Sequence, residues 1–268
     1  MVTGRDFEGS IVVVTGASTG LGRAIAVETA QRGAAAVIVN FASSEAEARE
    51  TVRLVEDAGS RGLACQGDVA KDEDCIRIAG AAAPFGRIDA LFNNAGVTRF
   101  ASNHAQLDAG GAEDFQRLYA INVIGAYQMV RAARTLMEAA AKPAGVVNTA
   151  SVAGVLGIGS SVPYAASKGA LITMTLSLAR ALAPKIRVNA ICPGYIDTPW
   201  FGRAMDEAGL ARLRKGVEAS TPLKVVSSAE DIAGAAVFLA SPAARHITGE
   251  TLMVDGGTHL GYAPLGMR

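Results

Sequence analysis

Apolar residues recur along this chain in two alternating rhythms. Short continuous runs over 10–15, 35–40, 62–66, 88–93, 145–150, 186–192 and 251–254 each end in a turn. That is the pattern of strands buried on both faces of a parallel sheet. Between them, 21–32, 43–58, 71–83, 111–141, 163–183 and 229–240 carry helical spacing. Gly33 and Gly59 follow two of these helices as stop signals. Strand and helix alternate with short connections. The fold class is therefore α/β: a doubly wound parallel sheet of about seven strands, helices on both faces, in a single domain over 1–268. The exception is a long stretch expected to be irregular, 193–221. It follows a strand's carboxyl end, where open α/β sheets bind ligands, and reads as a substrate-loop insertion at about 195–221.

Composition narrows the classes. Half of the 268 residues are apolar, yet no run reaches the roughly 18 apolar residues of a spanning helix. The first ten residues carry Arg5, Asp6 and Glu8 and do not read as a signal peptide. Lys+Arg and Asp+Glu number 25 each, which argues against a nucleic-acid or anionic-membrane partner. Cys65, Cys75 and Cys192 are scattered, as are the three histidines, so neither a disulfide framework nor a metal site is expected. A cytoplasmic location is the expectation.

Thr15-Gly-Ala-Ser-Thr-Gly-Leu-Gly22 joins the first strand to the first helix. Gly16 permits a sharp turn, Gly20 lets the backbone approach a pyrophosphate, and Gly22 lets helix and strand pack closely. The helix N-terminus offers its N–H groups and dipole to the anion. The bland alternative is an ordinary glycine-rich turn. The second strand ends at Asn40, where an acidic residue would accept from a ribose 2′-OH and favour NAD. Ser43 and Ser44 can donate to a 2′-phosphate, although Ser43 also suits a helix N-cap. No Arg or Lys lies within 40–44, and Glu45 stands close by. NADP(H) is favoured over NAD(H), with dual use open.

Tyr164 and Lys168 lie four apart and share a helix face. An ammonium beside a phenol favours the phenolate, which makes Tyr164 a credible acid/base. Ser151 ends the preceding strand and can hold a substrate oxygen. Asn122 is a mid-helix polar residue, unfavourable by propensity. Singly, each has a commonplace structural explanation; their ordered placement points to chemistry.

With these residues the chain resembles the short-chain dehydrogenase/reductase family over about 9–257. Residues 15–22 look like its cofactor turn and Asn93-Asn-Ala-Gly96 like its NNAG segment. Asn122, Ser151, Tyr164 and Lys168 match its catalytic tetrad, Ser and Tyr thirteen positions apart. Asp68-Val69, Pro193-Gly-Tyr-Ile-Asp-Thr198 and Asp255-Gly-Gly257 are similar to further family motifs. The resemblance implies a Rossmann fold and hydride exchange between nicotinamide and a ketone or secondary alcohol. It implies cofactor contacts from Gly16, Ser18, Thr19, Gly20, Leu21, Gly22, Asn40, Ser43, Ser44, Asp68, Val69, Asn94, Ala95, Gly96, Tyr164, Lys168, Pro193, Gly194, Ile196 and Thr198. Lys168 would also hold the nicotinamide ribose, and Asn122 would bind a water in a proton relay. Residues 40–44 are similar to NADPH-using members, while Thr19 stands where many of those carry Arg. Relatives pair through two long helices, here about 111–141 and 163–183, which implies a homotetramer or homodimer.

Trp200 and Phe201, with Leu156, Ile158 and Val162, suggest an apolar site for a small carbonyl or alcohol substrate; anchoring of the loop is an equal reading for the aromatic pair. The competing reading is a non-catalytic NAD(P)-binding regulator on the same fold, which loss of Ser151, Tyr164 or Lys168 would have signalled. A halide-releasing lyase would lack the glycine turn and Lys168, and an epimerase would normally carry a larger C-terminal region.

Overall fold

The computed structural model describes residues 4–101, 103–202 and 205–261. Seven strands form the sheet: β1 (Ile11–Val14), β2 (Ala36–Phe41), β3 (Arg61–Gln66), β4 (Ala90–Asn93), β5 (Ala144–Thr149), β6 (Ile186–Pro193) and β7 (Thr251–Val254). All pairs are parallel, in the order β3-β2-β1-β4-β5-β6-β7. The winding reverses between β1 and β4, which opens a crevice at their carboxyl ends.

The helices are α1 (Gly20–Gln31), α2 (Glu45–Asp57), α3 (Asp72–Gly80), α4 (Ala112–Tyr119), α5 (Ala126–Glu138), α6 (Ala153–Leu156), α7 (Val162–Leu182), α8 (Pro199–Gly202), α9 (Glu207–Ser220) and α10 (Ala229–Ala240). Alternation along β1 explains the two layers. Val12 and Val14 join one core with Ile25 of α1 and Val237 of α10. Ile11 and Val13 join the other with Ile78 of α3, Met129 of α5 and Ala179 of α7. Each fully buried aliphatic side chain contributes roughly 1.5–3 kcal/mol, so this in-and-out pattern fixes which face every helix covers. Buried Arg187 of β6 donates to the carbonyls of Leu239, Ala240 and Ser241, closing the carboxyl end of α10 with charge. Among the described residues no helix is long and apolar enough to cross a membrane.

Two expectations are corrected. The helix expected over 111–141 is interrupted: α4 passes into a π-helical turn, Ala120–Gly125, before α5 resumes. The wider turn admits the Asn93 amide, which donates to the Ala126 carbonyl at 3.2 Å and to Asn148 Oδ1 at 2.9 Å. The stretch expected to be irregular, 193–221, carries α8 and α9. Asp206 starts α9 by accepting the Gly209 N–H at 2.8 Å. No residue of α9 is buried, so it offers little apolar periodicity to read.

Candidate active site

The crevice is a cleft of about 600 Å³. Its floor at one end is the glycine turn. Gly16 has φ +60°, and a Cβ there would stand 2.8 Å from Ala95 Cα. A Cβ on Gly22 would meet the Gly16 carbonyl at 2.4 Å and Asn94 Nδ2 at 2.5 Å. Only glycine allows that approach. The turn is stapled from both sides. Asn94 Nδ2 donates to the carbonyls of Thr15 and Gly16, each at 3.1 Å. Arg23 and Thr51 both donate to the Ser18 carbonyl. The Thr19 side chain does not cap α1, and the first turn of α1 has no acidic residue. The residues therefore fit an anionic dinucleotide: uncapped N–H groups and the positive helix end meet at the cleft.

Asn40 is buried, with its amide spent on the fold. Its Oδ1 accepts the Gly16 N–H at 3.2 Å, and its Nδ2 donates to the carbonyls of Cys65 and Gly67. Ser44, not Ser43, precedes α2 as N-cap, and its hydroxyl makes no capping bond. Glu45 is engaged by Arg49 at 2.6 Å.

At the other end of the cleft, Ser161 caps α7 by accepting the Tyr164 N–H at 3.3 Å, which sets Tyr164 in the first turn. Ser151, two residues beyond β5, lines the same cleft wall as Tyr164, and its hydroxyl pulls the phenol pKa down. Lys168 lies one helical turn after Tyr164, its Nζ 5.7 Å from the phenol ring centroid, and donates to the Thr149 carbonyl at 2.7 Å. Burial pushes the Tyr164 phenol up to about 12, against the opposing pull of the Ser151 hydroxyl. The same burial lowers Lys168 to about 8. The Tyr164 shift is in the opposite direction to the lowering expected from a neighbouring ammonium: the dominant effect is the removal of the phenolate from water, which disfavours it. Tyr164 thus holds its proton at neutral pH.

Asn122 lies in the π-turn, buried, and not on the cleft wall. Its amide is bound to the Val97 backbone and to Ser167 Oγ, so its side chain braces the loop after Gly96. Gly22 also lies behind the wall. Gly16, Ser18, Thr19, Gly20, Leu21, Asn40, Ser43, Ser44, Asp68, Val69, Asn94, Ala95, Gly96, Ser151, Tyr164, Lys168, Pro193, Gly194, Ile196 and Thr198 all line the cleft.

The apolar wall differs from the expectation. Leu156, Ile158 and Val162 are exposed and do not line the cleft. Phe100 does, together with Trp200 and Phe201. Phe201 stacks obliquely on Phe100 (5.7 Å between centroids) and on Tyr195 (4.8 Å), so it both anchors the loop and faces the site. Sequence reasoning missed Phe100, Thr98, Thr149 and Cys192. Nothing in a loop phenylalanine or a strand-end carbonyl signals a site. Cys192 is fully buried, and that burial pushes its thiol up to about 11, against the pull of the Ser151 backbone and the Lys168 charge.

A doubly wound sheet whose switch-point crevice joins a glycine turn to a Ser–Tyr–Lys cluster defines an NAD(P)-dependent oxidoreductase acting on CH–OH and C=O groups. Residues 16–259 match the family model described as Enoyl-(Acyl carrier protein) reductase. The chain is 37% identical over 255 residues to L-rhamnose 1-dehydrogenase (NAD(P)(+)) of Sphingomonas sp., covering 94% of this chain and 97% of that one. It is 37% identical over 257 residues to 3beta-hydroxysteroid dehydrogenase 1 of Eggerthella lenta, covering 95% of each. The solved structure of a short-chain dehydrogenase/reductase, glucose/ribitol dehydrogenase, from Brucella melitensis aligns with a TM-score of 0.81 at 32% identity, over 97% of this chain and 99% of that one. The chain belongs to the short-chain dehydrogenase/reductase family.

Proposed function

We propose that the chain works as a single dinucleotide-binding domain that reduces an apolar ketone, or oxidises the matching secondary alcohol, with Tyr164 as the general acid/base. The observation that carries this reading is the convergence of Ser151, Tyr164 and Lys168 on the wall of the same cleft that contains the glycine turn. A bound nicotinamide supplies the hydride for the carbonyl carbon, or takes it in the reverse direction. Ser151 holds the substrate oxygen, and Tyr164 gives it a proton as the alcohol forms. A phenol that keeps its proton at neutral pH suits the reductive direction. Lys168, mostly charged at pH 7, stabilises the phenolate left behind. Phe100, Trp200 and Phe201 exclude water and favour an apolar substrate.

NADP(H) is the favoured cofactor. Ser18, Ser43 and Ser44 line the cleft with Asn40, which carries no charge, and Glu45 is paired with Arg49; together these support room for a 2′-phosphate there. Three buried unpaired cysteines support a cytoplasmic setting. Exposed Phe115 on α4, Tyr127 on α5 and Leu176 on α7 support pairing of copies through these helices, as a homodimer or homotetramer.

The test is Tyr164→Phe, with nicotinamide fluorescence used to follow NADPH and NADH binding. The variant should lose turnover while keeping the wild-type dissociation constants. Full activity of Tyr164→Phe sinks the assignment. Tighter binding of NADH than NADPH reverses the cofactor preference.

A further inference from the structure

Arg117, on α4, lines the cleft but has no part in the chemistry above. Its position follows from the helix face that carries it. Residues 117, 121, 125, 128 and 131 recur every three or four positions through α4, the π-turn and α5. The later members are pinned to the corner between β3 and α3. Gly125 lies so close to Val69 that a Cβ would stand 2.8 Å from Val69 Cγ2. Gln128 Oε1 is 3.9 Å from Cys75 Sγ. Arg131 is paired with Asp72. Ile121 lines the cleft with Asp68 and Val69. Arg117, a turn before Ile121, therefore projects from this face over the outer end of the cleft.

That end is where a nucleotide base must lie. In doubly wound sheets the pyrophosphate sits on the glycine turn and the ribose at the end of the second strand. Here those places are Gly16–Gly22 and Asn40, so the base continues outward over Gly67–Val69, beneath Arg117. Arg117 is exposed, and among the described residues no ion pair or side-chain hydrogen bond occupies its guanidinium. The nearby acid Asp114 is already held by Arg99. A planar guanidinium is suited to cover an aromatic ring face.

We infer that Arg117 is a nucleotide-binding residue that covers the adenine ring and holds it against Val69 and Ile121, independently of any 2′-phosphate. This rests on the dinucleotide reading of the cleft. The test is calorimetric binding of ADP-ribose, NADH and NADPH to the wild type, Arg117→Ala and Arg117→Lys. Arg117→Ala should weaken all three ligands alike, by about 3- to 10-fold. Arg117→Lys, which keeps the charge and loses the plane, should recover only part. Unchanged ADP-ribose affinity in Arg117→Ala overturns the assignment. A loss confined to NADPH also overturns it and places Arg117 on the 2′-phosphate. A wild-type protein that binds no ADP-ribose overturns the dinucleotide reading and this inference together. Wild-type binding with an unaffected variant overturns this inference alone.

Discussion

Asn122 is bound to Val97 twice: its Oδ1 accepts the Val97 N–H at 2.9 Å, and its Nδ2 donates to the Val97 carbonyl at 3.0 Å. Nδ2 also donates to Ser167 Oγ at 3.0 Å, and Ser167 donates in turn to the Tyr164 carbonyl at 2.8 Å. One buried amide thus ties the loop after Gly96 to the first turn of α7, the two pieces that flank the reaction centre.

Asn122→Ala should break this tie. It leaves both polar groups of half-buried Val97 without their protein partner, which costs about 1 kcal/mol, the low end for such groups because the cleft lets water reach them. Urea denaturation should report that loss. Because the tie sets the separation of two catalytic elements, kcat should also fall at least about tenfold. An unchanged denaturation midpoint would remove Asn122 from its bracing role.

Lys168 should oppose stability while it serves the reaction. Its folded-state value of about 8 lies below the ordinary 10.5. The unfolded chain therefore holds this proton more tightly, and the destabilisation is complete below pH 8 and fades as pH rises to 10.5. Lys168→Met should abolish turnover yet raise stability at pH 7 by about 1–2 kcal/mol, roughly 3–6 °C in Tm. That gain should shrink towards pH 10.5 in thermal scans. A gain independent of pH would mean that the lysine is not desolvated as described.

Arg214 of α9 reaches Asp197 at 2.9 Å and Glu207 at 3.0 Å, and Tyr195 donates to the same Asp197. Asp197 lies between Ile196 and Thr198, which line the cleft. The pair is more than a third exposed, so Arg214→Ala should change stability by less than about 1 kcal/mol. Loosening Asp197, and with it the Ile196 and Thr198 that line the cleft, should raise the substrate KM about 2- to 5-fold, and added salt should do the same to the wild type. A KM insensitive to both changes would show that Asp197 is not held by this contact.

The sequence made the architecture readable where local chemistry and tertiary packing agree. Thr251–Val254 and Ala229–Ala240 fall where the apolar runs put them, because β7 and α10 are apolar segments bounded by turns and a Ser228 cap. The glycine turn was legible for the same reason: its backbone needs are written in residue type. What could not be read depends on neighbours distant in sequence. The π-turn needs Asn93 of β4, and the direction of the Tyr164 shift needs the depth of its burial. That the Asn40 amide is held by Gly16, Cys65 and Gly67 cannot be read from a strand-end asparagine either, although Asn40 does line the cleft as expected of a cofactor contact. Phe100 joins the substrate wall only because Phe201, a hundred residues later, folds against it.

The π-turn at Ala120–Gly125 also keeps a phase. It winds more residues into a turn than an α-helical path would, and each residue of an α-helix turns the axis by about 100°. A single π-turn takes about one residue more than an α-turn for the same full rotation, so deleting one residue there would let the helix run on regularly with Met129, Ala133 and Met137 still on the sheet and Arg131 still beside Asp72. What would be lost is the opening that admits the Asn93 amide to the Ala126 carbonyl. The segment stores one spare residue between two helix faces, one turned to the ligand and one to the core.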